Sequence, residues 1–219
     1  MGLDGQTMPN RRDCTKVATK EEDKSSASAR RAAHGQEVWT TCAVSGKALW
    51  EPLVVCGMGR LYRKEEVLVE LIQRKGQERR PVAPHVAHIT SMRDVLPVTL
   101  TVNPSSAHIV AMGEEVACSS VKNILSLWVC PITGHSTTGT HSFLFCVPCG
   151  HVVSHEAVKA LGSSCLPMGE GKDSMCPVCG AAAQALEVAP TEERGTAQLQ
   201  RFKERMRGFY KKRKSDGDV

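Results

Sequence analysis

Cys149-Gly-His151 and Cys176-Pro-Val-Cys179 set three thiols and one imidazole around an intervening stretch long enough for one small helix. Thiolate and imidazole are the ligands that zinc takes in tetrahedral geometry. With Cys149, His151, Cys176 and Cys179 all engaged, no position stays open for water. The expected ion is therefore one structural Zn2+ and not a Lewis-acid centre.

Other chemistry in the same stretch fits less well. His151 and His155 lie four apart, but Val152 stands where a zinc peptidase needs a general-base Glu. His155-Glu156 ahead of a Cys-x-x-Cys pair resembles a deaminase signature, yet that signature needs His-x-Glu and Pro-Cys, and both spacings are wrong. A four-cysteine zinc ribbon built from Cys146, Cys149, Cys176 and Cys179 is chemically as acceptable as the Cys3His set and remains an alternative. A catalytic residue is not identified.

The elements that must position these ligands are small. The chain has 219 residues and only nine Phe, Trp and Tyr together, which argues for two small modules and not one large core. The longest apolar runs are far below 18 residues and no secretory start is visible, so neither membrane nor secretion is expected. Gln6 breaks the myristoylation pattern that Met1-Gly2 opens. In a reducing compartment, the ten cysteines then read as ligands or buried thiols before disulfides, with Cys14, Cys118, Cys146 and Cys165 as plain thiols.

Residues 1–36 read as a flexible N-terminal segment, with packing starting near Val38 and Trp39. KEEVLVELIQRK, 64–75, predicts a helix with Val67, Leu68, Leu71 and Ile72 on one stripe, acids early and bases late. GQERRPVAP breaks it, VTLTVNPSS predicts a short strand running into a turn, and a second short helix after His155 carries Ala157, Val158 and Leu161 inward. Residues 201–214 carry a balance of +7 while the whole chain is +5, so the remainder sums to −2. A near-neutral body with a basic end argues for a terminal address or a weak nucleic-acid contact, not a broad nucleic-acid surface. Lys211, Lys212, Arg213 and Lys214 read as a nuclear localisation signal.

The halves repeat. CAVSG at Cys42 matches CPITG at Cys130, 88 residues on, and GRLYRKEEVL at Gly59 matches GHVVSHEAVK at Gly150, 91 residues on. A RING finger interleaves eight ligands around two zincs, and only its second set is complete here. On the first set, the second copy reads Cys130, Thr133, Ser154 and Ala157, three of them no longer ligands. Thr133 and Ser154 are expected to bridge loops that a metal would hold. The first copy offers Cys42, Ser45, Met58, Arg60, Arg63 and Glu66, which build no cysteine–histidine site. The repeat sets Cys146 opposite Val55, a strand position, and so favours His151 over Cys146 as ligand.

The first copy resembles a U-box, the zinc-free relative of the RING, and the second a single-zinc SP-RING. The expected class is α+β: a flexible segment 1–36, a U-box-like module 37–104, a connector 105–125, a single-zinc module 126–190 and a basic helix or tail 191–219. MGLDGQTMPNRRD, GRLYRKEEVLVELI, VTLTVNP and CPITG…CGH…CPVCG in this order resemble the replication termination factor 2 family over residues 1 to about 188. The resemblance implies a nuclear regulator of fork stalling and replication termination, linked also to pre-messenger RNA splicing, acting on replisome or spliceosome proteins. Family members carry a long basic region after the second module, where this chain has a short one. A RING-type ubiquitin or SUMO ligase is the alternative: Pro131 and Ile132 are of the kind that contacts a conjugating enzyme, whereas Gly180 stands where active RINGs commonly place a basic residue.

Overall fold

The structure is a computed structural model that describes residues 34–76, 85–106, 126–162, 175–190 and 192–215. In chain order its elements are α1 (34–40), β1 (Leu53–Cys56), β2 (Leu61–Arg63), α2 (Lys64–Gly76), β3 (Val95–Pro97), β4 (Thr101–Val102), β5 (Trp128–Val129), β6 (Phe143–Val147), β7 (Val152–Ser154), α3 (His155–Leu161), β8 (Gln184–Glu187) and α4 (Glu192–Ser215), with 3-10 turns at Met92–Asp94 and Pro104–Ser106. The chain is thus mixed α and β, with three small antiparallel sheets and four helices among the described residues. Of these helices, none is long and apolar enough to cross a membrane. The N-terminal segment 1–33, most of the connector (107–125), the helix-breaking 77–84 stretch, and Cys14, Cys118 and Cys165 lie outside the described residues.

LVVC of β1 and FLFCV of β6 bury every side chain, as central strands must. Each centres a three-stranded sheet, β2-β1-β3 and β7-β6-β8. Val55 pairs with Leu61 and Leu96, and Phe145 pairs with Val152 and Leu186. The second sheet therefore repeats the first strand for strand and register for register. β4 and β5 form a two-stranded link, Thr101 opposite Val129 and Val102 opposite Trp128.

Two turns lock the sheets together reciprocally. The Thr99 N–H donates to the Gly150 carbonyl at 3.0 Å, and the Ala189 N–H donates to the Gly59 carbonyl at 3.0 Å. Gly59 and Gly150 have φ of +74° and +80°, and a Cβ at either would collide with the carbonyl oxygen of Glu187 or Pro97, respectively. Only glycine allows both the backbone angle and this approach.

The helix after β2 forms where the sequence predicts it, with Glu65 and Glu66 first and Arg74 and Lys75 last. Its inward face is corrected. Val67 is buried and Leu71 half-buried, but Leu68 is 38% and Ile72 68% exposed. The reason is polar: Arg74, paired with Glu70 at 3.1 Å, turns inward and donates to the carbonyls of Ile89 (2.8 Å) and Val86 (3.2 Å). At about 100° per residue the Val67–Leu71–Arg74 line and the 68/72 ridge face different ways, so turning the first inward leaves the second toward solvent. In α3, Ala157 and Val158 are buried as expected, while Leu161, at the helix end, is 44% exposed.

Both ends of the described chain pack onto this core. Residues 34–36, expected in the flexible segment, belong to α1, where Gly35 packs against Gly139 and Trp39 meets Phe143 edge-on at 5.1 Å. The basic end, expected as a helix or tail, is a docked helix: Phe202 and Met206 of α4 are buried, Phe202 lying 6.4 Å from Phe145. Gln198 is buried too, accepting from the Glu187 N–H at 2.9 Å and donating to the Glu187 and Gly57 carbonyls at 2.9 and 3.2 Å. Cutting the chain at residue 201 would remove Phe202 and Met206 and open this core.

Candidate metal centre

Short backbone turns position the four ligands. The Gly150 N–H donates to the Cys146 carbonyl at 2.7 Å, and the Cys146 N–H to the His151 carbonyl at 2.9 Å, so the β6–β7 turn presents Cys149 and His151 together. Opposite, the Gly180 N–H donates to Cys176 and the Cys176 N–H to Ala181, both at 2.8 Å, a knuckle that presents Cys176 and Cys179. The ligand atoms of Cys149, His151, Cys176 and Cys179 all lie within 4.8 Å of one another, with Cys176 Sγ 3.7 Å from His151 Nδ1. Zinc with sulfur at about 2.3 Å holds tetrahedral ligand atoms roughly 3.7 Å apart, so small movements close this group on one ion. The donor set is one that zinc accepts.

The Cys149 thiol is lowered from its ordinary value. A hydrogen bond from the Cys146 thiol lowers it most, and contacts to His151 and Cys176 help overcome burial, bringing it to about 4. Cys146 is raised, as the partner that keeps its proton, and burial raises Cys176. Cys146 is fully buried in β6 and does not join the four-residue cluster. Its assigned counterpart needs correcting. The strand registers match Cys146 with Cys56 and Phe145 with Val55, because the β6–β7 turn holds one residue more than the β1–β2 turn. Carrying the 91-residue offset of Gly59 and Gly150 unchanged back into β6 hid that extra residue.

The positions assigned to a first site are joined without metal. Thr133 Oγ1 and Ser154 Oγ lie 3.0 Å apart, Ser154 Oγ accepts from the Ala157 N–H at 3.1 Å and so caps α3, and Cys130 Sγ accepts from the Ser154 N–H at 3.3 Å. Burial alone would raise Cys130, but the hydrogen bonds from Thr133 and Ser154 bring it down to about 7. In the first half, Cys42 Sγ accepts from the Arg63 N–H in the same way at 3.4 Å, and Lys47 pairs with Glu66 at 2.9 Å. The positions facing a second site there are Met58 and Arg60; Arg60 donates to the carbonyl of His85 at 3.5 Å, and Val86 and Ile89 that follow it are buried and apolar.

Pro131 and Ile132 are exposed at the tip of the Cys130 knuckle, Ile132 by 42%, and Val178 on the Cys176 knuckle is exposed by 42%. Lys211, Lys212, Arg213 and Lys214 lie in the last turns of α4. Upstream on that helix, Lys203, Arg207, Tyr210 and Lys211 line a cleft of about 500 Å³ with Arg93 and Asp94, and Arg93 stacks 5.6 Å from the centre of the Tyr210 ring.

Sequence reading missed Arg74 and Gln198, both polar residues inside helices that mark no motif. It also missed the grouping of His135, His141 and Glu156, whose spacings match no common ligand pattern.

The profile of the family described as Rtf2 RING-finger matches residues 1–218. The chain is 28% identical over 190 residues to a splicing factor, rtf2, of Schizosaccharomyces pombe, covering 87% of this chain and 65% of that protein. It is 29% identical over 191 residues to replication termination factor 2 of Rattus norvegicus and of Homo sapiens, covering 86% of this chain and 55% of each. The chain thus spans just over half to about two thirds of the length of these relatives. It belongs to the Rtf2 RING-finger family.

Proposed function

We propose that the chain is a nuclear, replisome-associated regulator of fork stalling and replication termination, with a link to splicing, working through protein contacts of two RING-like modules. In this reading the first module is U-box-like and zinc-free, and the second is SP-RING-like with one structural Zn2+ on Cys149, His151, Cys176 and Cys179. The names of its relatives, one a splicing factor and the others replication termination factors, supply the biological direction. One observation carries the molecular part: four zinc-type donors, three Cys and one His, converge within 4.8 Å of one another, enough to fill every position of a tetrahedral ion. Such a site braces a fold and presents the surfaces around it; it does not activate water.

Thr133, Ser154 and Cys130 take over the loop bracing of the lost first zinc. In the first module, Arg74 does the same for the second site by tying the Val86 and Ile89 carbonyls to α2. The basic helix end supplies nuclear entry and a weak phosphate contact beside Arg93. Affinity purification from nuclei, read by mass spectrometry, tests the reading: fork or spliceosome components that depend on the Cys149 cluster support it, and their absence overturns it.

A ubiquitin- or SUMO-ligase reading is favoured by one feature, the exposed apolar side chains Ile132 and Val178, one on each knuckle, of the kind that grips a conjugating enzyme. Autoubiquitination with a panel of conjugating enzymes, abolished by Ile132→Ala, would establish that activity.

A further inference from the structure

We infer that His135, His141 and Glu156 form a second metal site, a weaker one, that takes zinc through two imidazoles and one carboxylate. Their ligand atoms all lie within 4.8 Å of one another. His135 Nε2 is 3.1 Å from Glu156 Oε2, His141 Nδ1 is 3.2 Å from Glu156 Oε1, and the two rings stand 4.5 Å apart between centroids. In the metal-free arrangement a proton bridges nitrogen and oxygen in each pair. A divalent ion can take the place of those protons once each neutral imidazole carries its proton on the other ring nitrogen and turns the freed lone pair to the metal.

The three residues come from separate segments, and the backbone pins each one. The Cys130 N–H donates to the His135 carbonyl at 2.9 Å, fixing His135 at the knuckle. The His155 N–H donates to the Ser142 carbonyl at 2.9 Å, which sets the chain at His141 beside the start of α3. Ser154 caps that helix, and Glu156 sits in its first turn. The donors therefore converge without having to order a loose loop, which lowers the entropic cost of binding.

Imidazole and carboxylate suit zinc, copper and nickel, and with no thiolate the group should hold zinc less tightly than the cysteine cluster does. Glu156 is exposed and both histidines are half-buried, so a fourth position faces solvent, open to water or to a donor from a bound partner. Thr133, whose hydroxyl joins Ser154, also accepts from the His135 N–H at 3.5 Å, so an ion here would brace the knuckle–helix junction that the hydroxyl pair already ties. The assignment of that junction as a lost zinc site rests on the RING-like reading; the chemistry of the His–His–Glu group does not.

Equilibrium dialysis of the full chain against buffered free Zn2+ tests the site. Bound zinc should rise by one equivalent across the low-micromolar range in the native protein, and this rise should vanish in Glu156→Gln and in the double variant His135→Ala/His141→Ala. The increment is the readout, so the result stands whether or not the cysteine cluster holds its own ion. The same zinc addition should raise the melting temperature of the native chain and leave that of Glu156→Gln unmoved. No increment in the native protein, or an increment that survives in both variants, overturns the site.

Discussion

Thr99 donates its backbone N–H to the carbonyl of Gly150 at 3.0 Å, and the repeat-equivalent Ala189 returns the same bond to Gly59. Each sheet thus hands its outgoing strand to the turn of the other, which makes the two halves one structural unit.

That reciprocity is testable at the glycines. Gly150→Ala sets a Cβ against the Pro97 carbonyl at a left-handed φ, and Gly59→Ala does so against Glu187. Each should cost at least about 1–3 kcal/mol, the strain of such a backbone before the collision is added. Thermal melts showing either variant at wild-type stability would contradict the packing.

The rotated face of α2 separates two neighbouring residues. Val67→Ala removes two buried methyls and should cost about 1.5–3 kcal/mol, whereas Ile72→Ala at an exposed position should change stability by less than about 0.5 kcal/mol. Arg74→Met should cost roughly 1–3 kcal/mol, because it takes the Arg74 donor from the Ile89 carbonyl and leaves the Val86 carbonyl only the Ile89 N–H. Urea titrations of the three variants rank them, and equal effects at Val67 and Ile72 would restore the original stripe.

His88 supplies a pH dependence. Both its ring nitrogens are buried without a hydrogen-bond partner among the described residues, and burial first, then the charges of Arg60 and Lys203, lower it from 6.5 to about 4. Between those values the unfolded chain binds the proton and the folded chain does not, so stability falls as pH drops from 6.5 toward 4. The slope from this one group is bounded at about 1.4 kcal/mol per pH unit. His88→Leu should flatten that part of the stability profile relative to the native chain; parallel profiles would show that His88 is not the group responsible.

The helical end divides into a structural and an addressing part. Phe202→Ala should destabilise by about 3–5 kcal/mol, since its ring is fully buried beside Phe145 and Gly57. Replacing Lys211, Lys212, Arg213 and Lys214 with Gln should leave the melting temperature nearly unchanged and move a fluorescent fusion out of the nucleus. An unaltered nuclear signal would remove the addressing role.

What was legible in the sequence follows from which interactions are local. The α2 boundaries, the Cys130 and Cys176 knuckles and the pairing of Cys149-Gly-His151 with Cys176-Pro-Val-Cys179 all depend on short spacings, and spacing is visible in one dimension. The inward turn of Arg74 depended on carbonyls 12 and 15 residues away, and the docking of α4 on a turn 141 residues from Gln198. Neither distance leaves a periodic mark. The one-residue slip that set Cys146 against Val55 had the same origin: the extra residue sits in a turn, and only the strand registers reveal which side of it the repeat shifts.

The most direct test is elemental analysis of the chain after dialysis against a weak chelator, which leaves only tightly held metal. The native protein, Cys130→Ser and Cys146→Ser should each retain one zinc per chain, while Cys149→Ser, Cys176→Ser and His151→Ala should lose it. Loss of zinc in Cys146→Ser with retention in His151→Ala would establish a four-cysteine ribbon in place of the Cys3His centre, and a native chain without tightly held zinc would contradict the centre altogether.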